Sequence, residues 1–469
     1  MSAPGTVAGI PVASPSGSTS PLTERRFVVY GFGVTGAAVA RALVVRGLEV
    51  VACDDRLDAA KAAAAAGLGI ELVSKPSADD LAARVAWADA VVPAPGLPES
   101  HPLFGAVAAA QRPVLSEFDL AAAWDARPLL SITGTNGKTT VTMMVTEMLA
   151  ASGCRAAAVG NTDVPLIAAI DDPDLDVFVV ESSSFRLGHT RRFRPAAATW
   201  LNFAPDHLDV HADLDVYEGA KARSWTDLDS SSVAVANLDD AVVARHIGGG
   251  ARFVTFGLDR APSGWEFPHL SAVGGALIAP DGSVISRGES LPRRLPHDLA
   301  NALAATATAV AGGASLDAVR SVLASFEGLP HRVQYVASID GVSYFDDSKA
   351  TAPHAVFAAV RAFPHVVLIA GGRNKGLDLS VLGALGAHVR AVVGIGEAAG
   401  EVIAAFPDRP GTAAATMEEA VAAAARLAQP GDAVVLSPGC ASFDWYRNYG
   451  ERGDHFAEIV RARQAGGNP

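Results

Sequence analysis

The segment Thr-Gly-Thr-Asn-Gly-Lys-Thr-Thr at 133–140 lies between an apolar run at 128–133 and a long helical pattern at 141–151. Strand, glycine-lysine loop and helix in that order are the local signature of a phosphate cradle in an α/β sheet. Backbone amides of Gly134, Thr135, Asn136 and Gly137 would surround the phosphates, Lys138 would supply a positive charge, and the Thr139 hydroxyl could ligate Mg²⁺, with Thr140 completing the turn. The loop is shorter than the usual pattern, with Ile132 where the first glycine is expected. A second buried run at 177–180 ends in Glu181, which is placed either to hold a metal or to cap a helix.

An earlier glycine turn is set in the same way. The run Phe-Val-Val-Tyr at 27–30 precedes Gly31-Phe-Gly33-Val-Thr-Gly36, and a helical stretch at 37–45 and a strand at 49–53 follow. This βαβ pattern fits a diphosphate at a helix N-terminus, with Asp54 and Asp55 either meeting a sugar or capping the next helix. After residue 330, apolar runs at 342–345, 365–370, 391–394 and 433–436 alternate with helical stretches and form a third α/β unit. The expected fold is therefore α/β, three units in series: a Rossmann-like unit at 23–116, a central P-loop unit at 117–328 and a Rossmann-like unit at 329–469. Residues 1–22, rich in Ser, Pro and Gly, read as a disordered leader.

Two phosphate sites narrow the chemistry. If the first held NAD, the second would require ATP-coupled redox, so a nucleotide-carried substrate at the first and ATP at the second is the simpler pairing. With 37 basic and 50 acidic residues the chain carries a net charge of −13, which gives no footprint for nucleic acid. No apolar run reaches the roughly 18–20 residues of a membrane span. Cys53, Cys154 and Cys440 are scattered, which fits a reducing cytoplasm; Cys440 reads as a buried structural thiol rather than a nucleophile. His207, Asp209 and His211 match no standard zinc spacing. On pattern alone Lys221 is a solvated helix lysine.

The 133–140 loop, Glu181-Ser-Ser-Ser-Phe185, Asn202, Asp206-His207-Leu-Asp209, Lys221, the 297–301 stretch, His331-Arg332 and Asp347-Ser-Lys-Ala-Thr351 together resemble the Mur ligase family of peptidoglycan synthesis. The resemblance runs from Arg25 to the C-terminus. Ser437 to Asp444 and the Gly31 turn resemble the members that add D-glutamate to UDP-N-acetylmuramoyl-L-alanine; the Asn-Pro-Arg of members that add diaminopimelate or lysine is absent. The resemblance implies an ADP-forming amide ligase that passes through an acyl phosphate and acts as a cytoplasmic monomer with ATP and two Mg²⁺. It places Lys138, Glu181, His207 and an N-carboxylated Lys221 in catalysis, with Thr139, Glu181, His207 and Lys221 around the metals. It also places Asn301, Arg332, Asp347 and Lys349 on ATP, and Val34, Thr35, Asp54, Asp55, Arg56, Gly96 and Asn161 on the UDP substrate. Thr351, Lys375, Ser442 and Tyr449 fall on D-glutamate.

Departures from that pattern are Ala94 for Ser, Ser182 for an apolar residue, Arg186 for Gln, Asp298 and Ala352 for Asn, and Tyr449 for Phe. Asp298 removes a donor from the adenine side. The alternatives are another Mur-type ligase, folylpolyglutamate synthase, an NAD-linked oxidoreductase and a silent binding protein.

Overall fold

A computed structural model describes residues 6–13, 21–208, 210–374 and 376–466. Its architecture is α/β, as the alternation of apolar runs requires. Three sheets carry the chain, together with a short N-terminal hairpin.

The first sheet has four parallel strands in the order Glu71–Ser74, Glu49–Asp54, Arg26–Tyr30, Ala90–Pro93. Arg26–Tyr30 and Ala90–Pro93 are buried on both faces, whereas the edge strand Glu71–Ser74 is partly exposed. The second sheet has nine strands. Its parallel centre runs Val233–Asn237, Ala197–Trp200, Leu129–Thr133, Val177–Glu181, Ala156–Gly160. Beyond Val233–Asn237 it continues through Arg252–Gly257 and His269–Val273 to an antiparallel edge at Ala276–Ile278 and Val284–Ser286. The sequence reading missed this extension: its strands are short and interrupted by Gly, Pro and Asp turns, so no single run stands out. The third sheet is six-stranded, parallel except for the edge hairpin of Gln334–Ile339 with Val342–Asp346.

The chain divides into two compact units, residues 1–294 with 298–326, and residues 295–297 with 327–469. In the first unit the four- and nine-stranded sheets share one apolar core. Phe27, Val29 and Leu43 pack in the same cluster as Phe118, Leu129, Phe178 and Val180. At the expected boundary, Ser116 caps the helix Glu117–Trp124. There the Ser116 hydroxyl accepts from the Asp119 amide and the Asp119 carboxylate accepts from the Ser116 amide.

The disordered leader needs correction. Thr6–Val7 and Ile10–Pro11 form an antiparallel hairpin, and Ile10, wholly buried, joins the core around Leu130, Val254 and Leu303. The Ala13 amide donates to the Ala311 carbonyl and the Arg252 guanidinium to the Val12 carbonyl. A two-residue strand has too little pattern to register in a Ser/Pro-rich segment; tertiary burial creates it. Residues 14–20 lie outside the described residues. Ile10→Ala should lower stability by about 2–4 kcal/mol, measured as the shift of the first unit's transition in urea. An unshifted transition would mean that the hairpin does not contribute to the core.

Candidate functional site

Leu129–Thr133 delivers the chain into the loop, and Lys138–Ala151 carries it away. Gly134 and Gly137 both have positive φ, and a Cβ at Gly137 would come within 2.6 Å of the Asn301 side-chain oxygen. Only glycine lets the loop approach the Asn301 side chain so closely. Asn202 holds the loop from the neighbouring strand end: its side chain accepts from the Asn136 amide and donates to the Asn136 carbonyl. Thr135 is fixed against Tyr217 and Ala204, its hydroxyl accepting from the Ala204 amide.

Two lysine amines meet at one carbonyl. Lys138 Nζ donates to Gly134 O at 2.8 Å, and Lys221 Nζ to the same oxygen at 2.9 Å. Lys221 lies on helix Leu214–Thr226, is 1% exposed and sits 4.5 Å from the Tyr217 ring centre. Burial and then the charge of Lys138 push its ammonium well below the ordinary lysine range, against the opposing pull of Asp206. The solvated lysine read from pattern alone is therefore wrong.

Glu181 ends the strand next to the loop and is buried. Its Oε1 accepts from Asn161 Nδ2 at 3.1 Å, whereas Oε2 is buried without a hydrogen-bond partner. Such an atom is costly unless a ligand meets it, and an anionic oxygen beside a phosphate loop suits Mg²⁺. His207 takes a left-handed backbone and packs edge-on to Phe185, 3.3 Å from Asp206. The His211 amide donates to the His207 carbonyl, but its ring turns to other partners. It is buried, 3.0 Å from Glu99 and 2.9 Å from Ser184 Oγ. Asp209 lies outside the described residues. Among the described residues no group of three or more His, Cys, Asp or Glu is arranged to hold a metal by itself.

Beyond the loop, a small cavity is lined by Thr140, Met144, Arg293, Asp298 and Asn301. Arg293 Nε donates to Asp298 Oδ1 at 2.9 Å, so the departure at 298 is compensated by a guanidinium.

In the Gly31 turn, a Cβ on Gly36 would collide with the Gly31 carbonyl, and one on Gly31 would come within 2.6 Å of the Ala94 Cβ. Val34 and Thr35 open the helix Val34–Val45, with Val34 exposed. Asp54 is a brace: buried, it accepts from the Phe32 and Arg56 amides and from Lys61 Nζ. Burial raises its carboxyl, but these donors outweigh burial and hold it below the ordinary range. Asp55, by contrast, is exposed and accepts from the Tyr30 hydroxyl, with Arg56 exposed beside it. Neither caps the following helix; Asp58 does. Gly96 lines a cavity with Glu99, Phe185 and His189. The Ser182 departure is explained by Ser131, whose hydroxyl lies 2.8 Å from its own.

In the second unit Asp347 is buried, accepting from Ser437 Oγ and the Val333 amide. Lys349 Nζ lies 5.1 Å from the Tyr449 ring centre, and the Ser348 hydroxyl donates to the Tyr449 carbonyl. Arg332, Thr351 and Ser442 belong to the same unit, with Ser442 buried. Ala352 stands at a helix N-cap without a side-chain bond, which asparagine could have made. Cys440 is buried, as a structural thiol would be. Lys375 lies outside the described residues. The sequence reading missed Arg452, which is buried and donates to Ser348 and to the Cys440 carbonyl. It also missed Glu117 as the partner of Arg186. The Arg452–Ser348 and Glu117–Arg186 contacts join residues 104 and 69 positions apart, beyond any local pattern.

Strand, cradle and buried acid define a P-loop nucleotide-binding protein. The Mur ligase middle domain matches residues 132–309, and the Mur ligase, glutamate ligase domain residues 331–440. The UDP-N-acetylmuramoylalanine--D-glutamate ligase of Frankia casuarinae is 42% identical over 447 residues, covering 93% of this chain and 94% of that protein. The protein of the same name from Thermobifida fusca is 39% identical, covering 94% and 99%. Among solved structures, a pseudomurein peptide ligase type C from Methanothermus fervidus matches with a TM-score of 0.55 at 18% identity, covering 94% of this chain and 100% of that one. UDP-N-acetylmuramate-alanine ligase from Thermotoga maritima matches at 0.51 and 17%, covering 93% and 99%. The chain belongs to the Mur ligase family.

Burial, opposed by the Ser437 and Val333 donors, raises the Asp347 carboxyl from 3.8 to about 7. Between about pH 4 and 7 the folded chain therefore holds a proton that the unfolded chain has released. The associated stability is complete below about pH 4 and is lost as pH rises through 7. Asp347→Asn should abolish that decline in the second unit's unfolding midpoint; an identical pH profile in the variant would contradict the assignment.

Proposed function

We propose that the chain joins D-glutamate to UDP-N-acetylmuramoyl-L-alanine with ATP hydrolysed to ADP and phosphate, a cytoplasmic step of peptidoglycan precursor synthesis carried out by a monomer. Full-length identity of about 40% to ligases of that name supports the reaction, and the buried lysine beside the phosphate loop is the single observation that carries the chemistry. No helix among the described residues is long and apolar enough to cross a membrane. The working domains are 23–116 for the UDP substrate, 117–328 for ATP and 329–469 for the amino acid.

Three groups of residues divide the work. The loop amides, Lys138 and Thr139 hold the ATP phosphates, with Asn301, Arg332, Asp347 and Lys349 toward the nucleoside. Val34, Thr35, Asp54, Asp55, Arg56, Gly96 and Asn161 take the UDP substrate, Asp54 also bracing the turn. Thr351, Lys375, Ser442 and Tyr449 take D-glutamate. The substrate carboxylate attacks the γ-phosphorus, ADP leaves, the amine of D-glutamate adds to the acyl phosphate, and phosphate departs. Mg²⁺, when bound, neutralises phosphate charge. Glu181 Oε2 and Thr139 would hold it, with His207 and an N-carboxylated Lys221 for a second ion. Only an uncharged amine can add CO₂, and the buried position of Lys221 beside Lys138 supports that form.

The experiment is Mg²⁺-dependent phosphate release from ATP with UDP-N-acetylmuramoyl-L-alanine and one acceptor at a time. Release with D-glutamate and not with L-glutamate, L-lysine or diaminopimelate, with a product one glutamyl unit heavier, is expected. Release with another acceptor alone would reassign the substrate. Lys221→Ala should cost about a hundredfold or more in kcat, and attaching a short carboxylate to Lys221→Cys should restore part of it. Full activity in the alanine variant would remove Lys221 from the chemistry.

A further inference from the structure

Arg186, the departure from glutamine, is 6% exposed in a position no local pattern explains. Its Nε donates to Glu117 Oε1 at 2.7 Å, and Glu117 also accepts from the Ile167 amide, so the charge is neutralised inside the protein. Its other two nitrogens reach in different directions. Nη2 donates to Thr35 Oγ1 at 3.1 Å, in the first turn of the helix that follows Gly31 to Gly36. Nη1 donates to Asn161 Oδ1 at 2.8 Å. The Asn161 amide then donates from Nδ2 to Glu181 Oε1 at 3.1 Å, and its backbone amide donates to the Glu181 carbonyl.

The polarity of this chain is forced. A guanidinium can only donate and a carboxylate can only accept, so an amide placed between them has one permitted orientation. A glutamine at 186 could present either an oxygen or an NH₂ to Asn161 and would enforce no direction. Arginine therefore fixes Asn161, Asn161 fixes one oxygen of Glu181, and Glu181 keeps its second oxygen buried without a protein partner. At the other end the same guanidinium holds the hydroxyl of a residue in the Gly31 turn. All five residues lie in one compact unit, which also contains the apolar core common to both sheets.

We infer that Arg186 is a positioning residue that couples the two phosphate sites: a nucleotide-diphosphate substrate at the Gly31 turn and metal-bound ATP at Glu181 each tighten the other through Thr35, Arg186 and Asn161. The inference rests on the functional reading above. Coupling of this kind is reciprocal, so it is measurable from either ligand.

The test is calorimetric binding of a non-hydrolysable ATP analogue with Mg²⁺ to the full chain, with and without UDP-N-acetylmuramoyl-L-alanine. Wild type should bind the analogue about fivefold or more tightly when the nucleotide sugar is present, and the converse titration should give the same factor. Arg186→Gln should bind each ligand alone but bring the factor close to one. Because removing the arginine strands a buried Glu117, the double variant Glu117→Gln with Arg186→Gln is measured beside it and should also lose the coupling. A merely structural role would weaken both affinities and leave their ratio intact. An unchanged factor in either folded variant, or two ligands that bind wild type independently, would overturn the inference alone. Failure of wild type to bind the nucleotide sugar at all would overturn the functional reading together with it.

Discussion

The carbonyl of Gly134 accepts from two lysine amines at once, and much of the site is arranged around that fact. Two ammonium groups at one oxygen in a buried setting repel each other, and water cannot screen them as it would at a surface. Lys138 belongs to the glycine-lysine loop, and in the proposed enzyme its charge is what meets the phosphates. The cost of charging therefore falls on Lys221, which is buried against Tyr217 and loses its proton more readily than an ordinary lysine. An amine whose proton is weakly held beside a glycine-lysine loop is a poor structural choice and a useful chemical one. In the proposed enzyme it is the form that adds CO₂ and becomes an oxygen ligand.

The first unit supplies rigidity around that point. Phe27 and Val29 from one sheet and Phe178 and Val180 from the other pack in one cluster, so the glycine turn and the phosphate loop stand on a common core. The hydrogen bonds from Thr35 to Glu181 run alongside this apolar contact. Apolar packing fixes the distance between the glycine turn and the glycine-lysine loop, and the directional bonds through Arg186 fix the orientation of Thr35, Asn161 and Glu181. The Glu117–Arg186 pair makes the buried charge tolerable, since each ion on its own would be strongly destabilising.

Local pattern carried the fold a long way. The run at 27–30, the loop at 133–140 and the acid at 181 all fall where a strand–turn–helix reading puts them, because burial on both faces writes itself as uninterrupted apolar sequence. Other features were not legible. Ile10 is buried by contacts with residues more than a hundred positions away, so its segment reads as a disordered leader. The second sheet's antiparallel edge is built from three- to five-residue pieces. Asp54, expected at a ligand, also accepts from the Phe32 and Arg56 amides and from Lys61, a bracing role that sequence alone does not show. Lys221 shows the limit most sharply: helical spacing makes it a surface residue, and only the tertiary fold, or resemblance to a family, places it inside. Arg186 and Glu117 are joined by a contact across 69 positions, which a single sequence does not record.

The most direct measurement of the central claim is carbon-13 magnetic resonance of the full chain equilibrated with ¹³C-labelled bicarbonate, set beside Lys221→Ala. The account requires a protein-bound carbamate resonance in the unaltered chain that disappears in the variant and weakens as carbon dioxide is removed. A fully active chain with no such resonance, or the same resonance in Lys221→Ala, would contradict it.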